Sequence, residues 1–416
     1  MAQLSDDCFA FGGGLLGIDA ARKMIFERVQ PVDGIEHVPL RRALGRTLAQ
    51  DIVAPMAVPG FDNSAVDGYA VRFDDLDPHG PTTLSCVDRI VAGHDPAAAL
   101  TPGRAARIFT GAALPVGADV VIMQEDCQRD GDLVTIRPGI KRHANTRQAG
   151  EDVPLGSLAL RAGRRLGPAD LGLLAALGMA EVSVRRQLSI ALLSTGDEVR
   201  EPGRPLASHQ IYDANRFILA GMLERLGVEV TDLGIVPDDP VTLAATLRLA
   251  ADSSDLIVTS GGVSTGEEDH VRAAIANHGS LYFWRLAIKP GRPVAMGQIG
   301  STPLAGLPGN PVAALLTFAL VARPMIEALS GTEPHIARRF PAIADFAYKK
   351  KAGRREYARV FMQEGAGLPR LSRYPKEGAG MLTSLTETDG LAELSEETTR
   401  LQPGAEVAFV PYSELM

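Results

Sequence analysis

Five carboxylate residues stand beside glycine or proline, in predicted loops or at the start of a predicted helix: Asp67, Asp152, Glu198, Asp238 and Asp269. Two cations, Lys289 and Arg292, lie in a Lys-Pro-Gly-Arg-Pro segment. Carboxylates alone repel an anionic substrate, whereas a hard cation such as Mg²⁺ binds carboxylate and phosphate oxygens together. Lysine supplies a point charge and the arginine fork can bind two oxygens, and both suit phosphate. The residues therefore predict a site for an oxyanion substrate and Mg²⁺, although any one carboxylate could instead cap a helix or face solvent.

A serine nucleophile is a second hypothesis, because the G-x-S-x-G pattern is matched at Gly262-Val-Ser264-Thr-Gly266. Asp269, His270 and His335 could complete a Ser–Asp–His triad on a strand–turn–helix elbow. However, Asp269 and His270 follow the serine on the same predicted helix, and no HGGG-type segment supplies an oxyanion hole. A Gly/Ser-rich turn before a helix also binds phosphate on its backbone N–H groups. We favour the phosphate-binding interpretation and keep a serine hydrolase as the alternative.

A G-x-G-x-x-G match at 12–17 leads into a predicted helix. The preceding residues 7–11 make a poor strand and no βαβ unit follows, so a dinucleotide site is not favoured. We interpret the segment as a glycine-rich run.

Composition limits the classes of protein that could carry these residues. The chain has 416 residues, 45% hydrophobic and 22% charged, which predicts nearly three domains with sizeable cores. The net charge of −8 argues against nucleic acid or an anionic membrane as the main partner. The longest apolar run, 312–322, is short for a membrane span, and the acidic residues 6–7 are untypical of a signal peptide. Three widely spaced cysteines without a C-x-x-C pair indicate reduced thiols in the cytoplasm.

Residues 188–331 show the clearest regularity, in which short apolar runs alternate with helical stripes. The predicted strands are 188–193, 228–236, 255–259, 281–288, 293–297 and 303–307. Asp239-Pro240 predicts a helix start, and Gly227 and Gly279 predict helix ends. This alternation predicts an open α/β domain, with a parallel sheet covered on both faces. The polar loops 194–198, 237–239, 260–264, 289–293 and 308–311 follow the strands, at the sheet edge where α/β folds bind ligands.

The rest of the chain predicts smaller units on both sides of this domain. We expect a discontinuous N-terminal linker domain of residues 1–50 and 145–187, with helices at 18–29 and 171–179. Residues 51–144, with strands at 104–109, 118–123 and 133–136, form an inserted β-rich domain. Residues 332–416 form a small all-β domain, after the α/β domain of 188–331.

Six motifs, taken together and in order, resemble a known family. They are PGFDNSAVDGYA at 59–70, FTGAA at 109–113, STGDE at 194–198, IYDAN at 211–215, SGGVS at 260–264 and LPGNP at 307–311. They resemble the molybdopterin molybdenumtransferases of the bacterial MoeA type, equivalent to the gephyrin E domain, and the resemblance runs from about residue 12 to 412. The family implies an elongated homodimer with four domains per subunit, one of them a molybdopterin-binding α/β fold.

The resemblance also implies an activity. A member of this family takes adenylated molybdopterin and molybdate, releases AMP and leaves molybdenum on the dithiolene, with Mg²⁺ as a Lewis acid. Contact with the molybdopterin adenylyltransferase is a further expectation. The rival from another class is a non-catalytic pterin-binding or scaffold protein, which should carry long partner-binding linkers that this chain lacks.

Family roles map onto two groups of residues that the implied dimer brings together across subunits. The N-terminal group is Asp67, Thr110, Arg147 and Asp152, and the α/β group is Glu198, Asp238, Asp269, Arg285 and Lys289. We expect Asp67, Glu198, Asp269 and Lys289 to be catalytic, with Glu198 and Asp269 as Mg²⁺ ligands. The loops add further substrate-binding candidates: Ser260, Gly261, Gly262, Ser264, Arg292, Pro308 and Asn310. Arg285 stands where the family commonly has Lys, and Ala379 where it often has Ser.

Overall fold

The computed structural model describes residues 14–262, 279–365 and 367–416. The predictions for Ser264, Asp269 and His270, and for the first glycines of the 12–17 run, lie outside the described residues. The predicted helix that ends at Gly279 lies outside them as well.

A six-stranded sheet forms the centre of the α/β unit. Its strands are β1 (Ser189–Thr195), β2 (Glu229–Val236), β3 (Leu256–Ser260), β4 (Gly279–Arg285), β5 (Pro293–Ile299) and β6 (Thr302–Leu307). Their order is β2-β1-β3-β6-β5-β4. The strands β2, β1, β3 and β6 are parallel, as predicted. The fully parallel prediction is wrong at the other edge, because β5 is antiparallel to both β6 and β4.

The reversal at β5 has a local cause. Only Gly300 and Ser301 join β5 to β6, and a two-residue connection can only join antiparallel strands. Gly300 has φ of +58°, a conformation that hairpin turns require and that glycine adopts without strain. The Gly-Ser pair between two apolar runs was the sequence signal for this hairpin.

Helices cover both faces of the sheet, as the alternating pattern predicted. Ile190 and Leu192 of β1 pack in one core cluster with Leu219 of the Asn215–Arg225 helix. The intervening residues Ala191 and Leu193 pack on the other face, with residues of the Pro240–Ser253 helix. A strand sends alternate side chains to opposite faces, so both faces of β1 are buried by helices.

The stretch Pro311–Leu329 is the one described helix that is long and apolar enough to cross a membrane, and 89% of its most apolar window is buried inside the protein. It comprises Pro311–Thr317, a π-helical turn at Phe318–Ala322, and Arg323–Leu329. The apolar run of the sequence ends at residue 322, but the helix continues through Arg323 and Pro324 to Leu329. Pro324 lies in the first turn of the last segment, where a missing N–H is tolerated. The stretch packs in the main core of the α/β unit.

The N-terminal part of the chain is built from segments that are distant in sequence. Two helices, Ile18–Arg28 and Pro168–Ala176, agree with the predicted ones to within a few residues. The pairs of short strands are Ile35–Pro39 with Glu181–Arg185, Ile52–Val53 with Leu158–Leu160, and Asn63–Ser64 with Thr146–Arg147. One apolar cluster contains Leu48 together with Leu174 and Val184. The exact domain boundaries stay a prediction.

The inserted β-rich unit is a second six-stranded sheet. Its strands in spatial order are Val120–Met123, Gly68–Val71, Arg104–Ile108, Thr82–Ile90, Leu133–Ile136 and Cys127–Asp130. Cys86 and Cys127 are unpaired and half-buried in this unit.

The C-terminal unit is a third sheet, which receives a strand from the α/β unit. Its own strands are Phe340–Ala344, Arg355–Gln363, Arg370–Arg373, Gly390–Leu394 and Glu406–Pro411, with the short helices Thr383–Glu387 and Tyr412–Leu415 beside them. Arg355–Gln363 pairs with both Arg370–Arg373 and Gly390–Leu394, which closes the sheet on itself. The two-residue strands Tyr348–Lys349 and Arg400–Leu401 form a separate antiparallel pair. Ile288–Lys289, from the loop between β4 and β5, joins the edge of Arg355–Gln363 in parallel.

Candidate active site

The polar loops of the α/β unit meet at one edge of the sheet, as the sequence predicted. Ser194 of β1 lies opposite Ser260 of β3, and Ser260 lies opposite Leu307 of β6. Because these strands are parallel, the loops that follow them emerge side by side. The loop between β4 and β5 emerges at the same edge, since Arg285 pairs with Pro293.

The loops that follow β1, β3 and β6 line a cleft of about 330 Å³, which we call the edge cleft. Four predicted site residues line it: Glu198, Ser260, Gly261 and Asn310. The remaining lining residues include Ser194, Thr195, Asp213, Asn215, Gly380 and Leu382. Glu198 is exposed, whereas Ser260 is buried at the floor.

Two buried polar atoms in residues of the edge cleft have no hydrogen-bond partner among the described residues: Ser194 Oγ and Asn215 Oδ1. The Asn215 amide nitrogen, by contrast, donates to Ser260 Oγ at 2.8 Å and to the Gly309 carbonyl at 2.7 Å. A buried polar group without a partner costs about 1–3 kcal/mol. Such groups are rare in folded proteins and call for a functional explanation, such as a bound ligand.

Gly261 is required by its conformation and by close packing. Its φ is +88°, and an added Cβ would lie 2.3 Å from the Thr195 carbonyl oxygen. We expect Gly261→Ala to destabilise the α/β unit by more than the about 1–2 kcal/mol that the left-handed conformation alone costs. Calorimetric melting should therefore show a lower melting temperature. Gly309→Ala is the matched control, because its added Cβ would meet only Gly261 Cα, at 4.0 Å; equal melting temperatures for the two variants would contradict the prediction.

Asp238 lies beside the edge cleft, where Thr195 Oγ1 donates to its Oδ1 at 3.4 Å. From the sequence, a helix cap was one possible role for Asp238. The cap is Asp239 instead, whose carboxylate accepts from the Thr242 N–H at 2.8 Å. The role of Asp238 is therefore not that of a helix cap.

A second pocket, of about 300 Å³, lies between the β4–β5 loop and the C-terminal unit, and we call it the cationic pocket. It is lined by four cationic side chains and one carboxylate: Lys289, Arg359, Arg373, Lys376 and Glu377. Arg373 forms an ion pair with Glu377, which lowers the pKa of that carboxyl. The net charge of the lining is strongly positive, so the pocket suits an anion.

Arg359 is the most buried of these cations, with 9% of its surface exposed. One terminal nitrogen donates to the carbonyls of Lys376 and Gly378, at 3.3 and 3.2 Å. Its Nε is buried and has no partner among the described residues. Burial lowers the pKa of the guanidinium, although an arginine side chain stays charged in proteins. Arg359 therefore places a largely desolvated positive charge in the wall of the cationic pocket.

Lys289 reaches this pocket because the Ile288–Lys289 strand joins the C-terminal sheet. Its ammonium lies 3.5 Å from Glu356, whose carboxylate is 1% exposed and also accepts from Arg354 and the Tyr348 hydroxyl. Half of the Lys289 side chain remains exposed.

One short segment separates the two pockets. Gly378 and Ala379 line the cationic pocket, and Gly380 and Leu382 line the edge cleft. The Ala379 carbonyl accepts from the Val312 N–H, at 2.9 Å, which fixes the segment to the start of the Pro311–Thr317 helix. A ligand in one pocket therefore lies next to a ligand in the other.

The other predicted residues of the α/β unit lie in these loops but not in the walls of either pocket. Arg285 and Arg292 are exposed, and their carbonyls accept backbone bonds from Leu16 and Leu286. Pro308 directly follows β6, and Gly262 directly follows Gly261.

The N-terminal group lies elsewhere in the chain, around the residues that lead into Gly68–Val71. Asp67 Oδ1 accepts from both the N–H and the hydroxyl of Thr110, at 2.9 and 2.7 Å, and these bonds lower its pKa. Arg147 pairs with Asn63, and the Asp152 N–H donates to the Val58 carbonyl. Among the described residues no hydrogen bond or ion pair joins this group to those that line the edge cleft. Within the described part of one chain, the two predicted groups therefore share no hydrogen bond, ion pair or pocket wall.

The donors near the edge cleft fit Mg²⁺. In the part of the chain that the structure describes, no cluster of three or more His, Cys, Asp or Glu side chains could hold a metal ion. Mg²⁺ needs no such cluster, since it is commonly held by one or two carboxylates with substrate phosphates and water. The Glu198 carboxylate and the unpaired oxygen of Asn215 are hard donors of the kind that Mg²⁺ prefers.

Sequence reasoning missed the C-terminal side of the site. It proposed no role for Arg359, Arg373 or Lys376, and its only signal there was the Gly378-Ala379-Gly380 segment. Ser194 and Asn215 also had no predicted role, although they stand in the STGDE and IYDAN motifs.

Comparison with known families matches nearly the whole chain in three parts. The "MoeA N-terminal region (domain I and II)" matches residues 16–178. The "Probable molybdopterin binding domain" matches residues 191–328, and the "MoeA C-terminal region (domain IV)" matches residues 341–412.

Known proteins are similar over the same length. The molybdopterin molybdenumtransferase of Haemophilus influenzae is 39% identical, over 97% of this chain and 100% of that protein. Molybdopterin molybdenumtransferase 2 of Mycobacterium tuberculosis is 35% identical, over 89% and 93%. The crystal structure of the molybdopterin biosynthesis moeA protein from Pyrococcus horikoshii OT3 aligns with a TM-score of 0.80 at 29% identity, over 96% and 100%. The resemblance drawn from the six motifs is confirmed, and the chain belongs to the molybdopterin molybdenumtransferase (MoeA) family.

Proposed function

We propose that this chain transfers molybdenum from molybdate to adenylated molybdopterin and releases AMP, as a step of molybdenum cofactor biosynthesis. The observation that carries the proposal is the pair of adjacent pockets. One is a cleft at the ligand-binding edge of an α/β sheet, and the other is strongly cationic. A reaction between an oxyanion and an organic substrate that carries a phosphate group needs two such neighbouring sites.

Molybdate is a small oxyanion with two negative charges, and in this proposal it occupies the cationic pocket. Arg359 and Lys289 supply charge from opposite units of the chain, and the Arg359 Nε supplies an unpaired donor. Hydrogen bonds from charged donors to anions are about twice as strong as neutral ones.

The pterin and its phosphate occupy the edge cleft in this proposal. The phosphate lies at the turn of Gly261 and Gly262, because glycine-rich turns after a strand commonly bind phosphate. The Gly261 N–H itself donates to the Leu307 carbonyl, at 3.2 Å. Ser194 and Asn215 bind polar groups of the pterin with the side-chain atoms that have no partner among the described residues. The dithiolene end then points to Ala379 and the cationic pocket beyond it.

Mg²⁺ belongs to the proposal as a Lewis acid on the phosphate oxygens. Glu198 would hold it, together with Asp269, which lies outside the described residues. When bound, it neutralises charge on the phosphate, and cleavage of the adenylyl link supplies the driving force. Glu198 lies exposed at the mouth of the cleft, where it can reach a bound cation.

A homodimer with a shared site also belongs to the proposal. Asp67 and Thr110 do not line the edge cleft of their own chain, and in this proposal a second copy brings its N-terminal group to that cleft. We also propose contact with the molybdopterin adenylyltransferase, because that enzyme makes the adenylated substrate that this chain uses. A cytoplasmic location agrees with the unpaired Cys86 and Cys127.

The activity is tested with purified protein, adenylated molybdopterin, Mg²⁺ and molybdate. We expect release of AMP and formation of a cofactor that activates a molybdenum-free apoenzyme. Omission of molybdate is the control for molybdenum transfer. Tight pterin binding without AMP release or active cofactor would instead identify a non-catalytic pterin-binding protein.

A further inference from the structure

An exposed loop carries Glu198 to the mouth of the edge cleft. We call residues 197–212 the flap. Its base consists of two short parallel strands, Val199–Arg200 and Ile211–Tyr212. The Ile211 N–H donates to the Glu198 carbonyl at 2.8 Å, and the Asp213 N–H donates to the Arg200 carbonyl at 2.9 Å. The flap residues between these strands are almost all exposed, so few packing contacts fix the flap.

One buried arginine holds both ends of the flap. Arg216, in the first turn of the Asn215–Arg225 helix, is 4% exposed. Its guanidinium binds Glu201 just after the first flap strand and Asp213 just after the second. A third bond joins it to Asp232 of β2, which belongs to the central sheet.

The geometry makes this arrangement rigid. The guanidinium presents donors in a fixed planar fork, so three carboxylates bound to one Arg216 are held in a fixed relation. Asp213 also accepts from the Arg216 backbone N–H, at 3.1 Å, which satisfies one of the free N–H groups in the first turn of the helix. Asn215, next to Arg216, fixes the floor of the edge cleft through Ser260 and Gly309. Arg216 therefore positions the flap that carries Glu198, and its neighbour Asn215 positions the cleft floor. Both parts are fixed by the start of the same helix.

We propose that Arg216 is a positioning residue, which holds Glu198 in register with the edge cleft by clamping both ends of the flap to β2. The proposal rests on the function proposed above. Arg216 touches no substrate in this account, and it acts only through the flap. A misplacement of about 1 Å at a reacting group can lower turnover about 100-fold.

The cleanest test removes one arm of the clamp. Glu201→Gln breaks the flap arm at a side chain that is 47% exposed, so the fold should persist. We expect faster hydrogen exchange of the flap amides, about tenfold lower kcat for AMP release, and unchanged KM for molybdate. Glu224 is an exposed carboxylate on the helix that carries Arg216, and Glu224→Gln is the matched control. It should change neither the flap exchange nor kcat nor KM.

A double variant shows whether the effect passes through Glu198. If the clamp acts by positioning that carboxylate, Glu201→Gln should lower kcat no further in a Glu198→Gln background, where residual turnover is measured at high enzyme concentration. Additive losses, or a normal kcat together with normal flap exchange in Glu201→Gln, would overturn the proposal. Arg216→Lys keeps the charge but loses the fork, and it should resemble or exceed Glu201→Gln in flap exchange.

The flap-exchange measurement needs no turnover. An inactive wild-type protein would therefore contradict the proposed function and not the clamp. An active wild-type protein with an unaffected Glu201→Gln variant would contradict the clamp alone.

Discussion

Glu198→Ala is expected to lower the rate of AMP release from adenylated molybdopterin by about 100-fold or more, a typical cost of removing one positioned electrostatic group. The side chain is exposed at the mouth of the edge cleft, so its removal leaves no cavity in the core. The melting temperature should therefore stay within a degree or so. Quenched-flow detection of AMP measures the rate, and Asp197→Asn, the exposed neighbour in the same loop, is the matched control. A Glu198→Ala variant as active as this control would rule out a catalytic role.

Asp67→Ala should be equally damaging, although Asp67 lies in another unit of the chain. Its carboxylate is kept ionised by the two bonds from Thr110 and is accessible at the surface. If a second copy supplies this group, a mixture of the two inactive variants should form heterodimers with one intact site and recover part of the activity. Subunit exchange is checked with two affinity tags. Subunit exchange without recovery of activity would contradict the shared site. The roles of Asp67 and Glu198 would then rest on the single variants alone.

Arg359→Met is expected to raise the KM for molybdate by about 100-fold, while binding of adenylated molybdopterin changes little. The substitution removes the most buried cation of the cationic pocket and its Nε donor, which has no partner in the described part of the chain. Arg359 also donates to the Lys376 and Gly378 carbonyls, so we expect a loss of stability of about 1–3 kcal/mol as well. Steady-state assays at varied molybdate concentration, with calorimetric titration of the pterin, separate the two substrates.

A second variant keeps this test independent of folding. Lys289→Met removes a half-exposed cation from the same pocket and leaves the buried Glu356 paired with Arg354 and Tyr348. It should raise the KM for molybdate in the same direction, by about tenfold. Lys351→Met, an exposed cation that does not line the pocket, is the control. An unchanged KM in both Arg359→Met and Lys289→Met would place molybdate elsewhere.

The α/β unit could be predicted closely because its signals are local. The strand and helix periods, the Asp239 cap and the stop at Gly227 all follow from residues that are neighbours in sequence. The antiparallel β5 was mispredicted because regular alternation suggested a crossover where Gly300 and Ser301 leave room only for a turn.

The sequence by itself determined that the loops after the parallel strands lie at one edge of the sheet. Parallel strands must all end at the same edge, so a strand pattern and the residues after each strand suffice to place Glu198, Ser260 and Asn310 together. Only the tertiary structure decided the cationic pocket and the Arg216 clamp. Lys289 meets Arg359 because the Ile288–Lys289 strand joins an edge of another sheet, and Arg216 meets Asp232 because the helix packs on β2. Backbone pairing and packing between distant segments depend on the whole arrangement of units, and no local period or spacing in the chain encodes them.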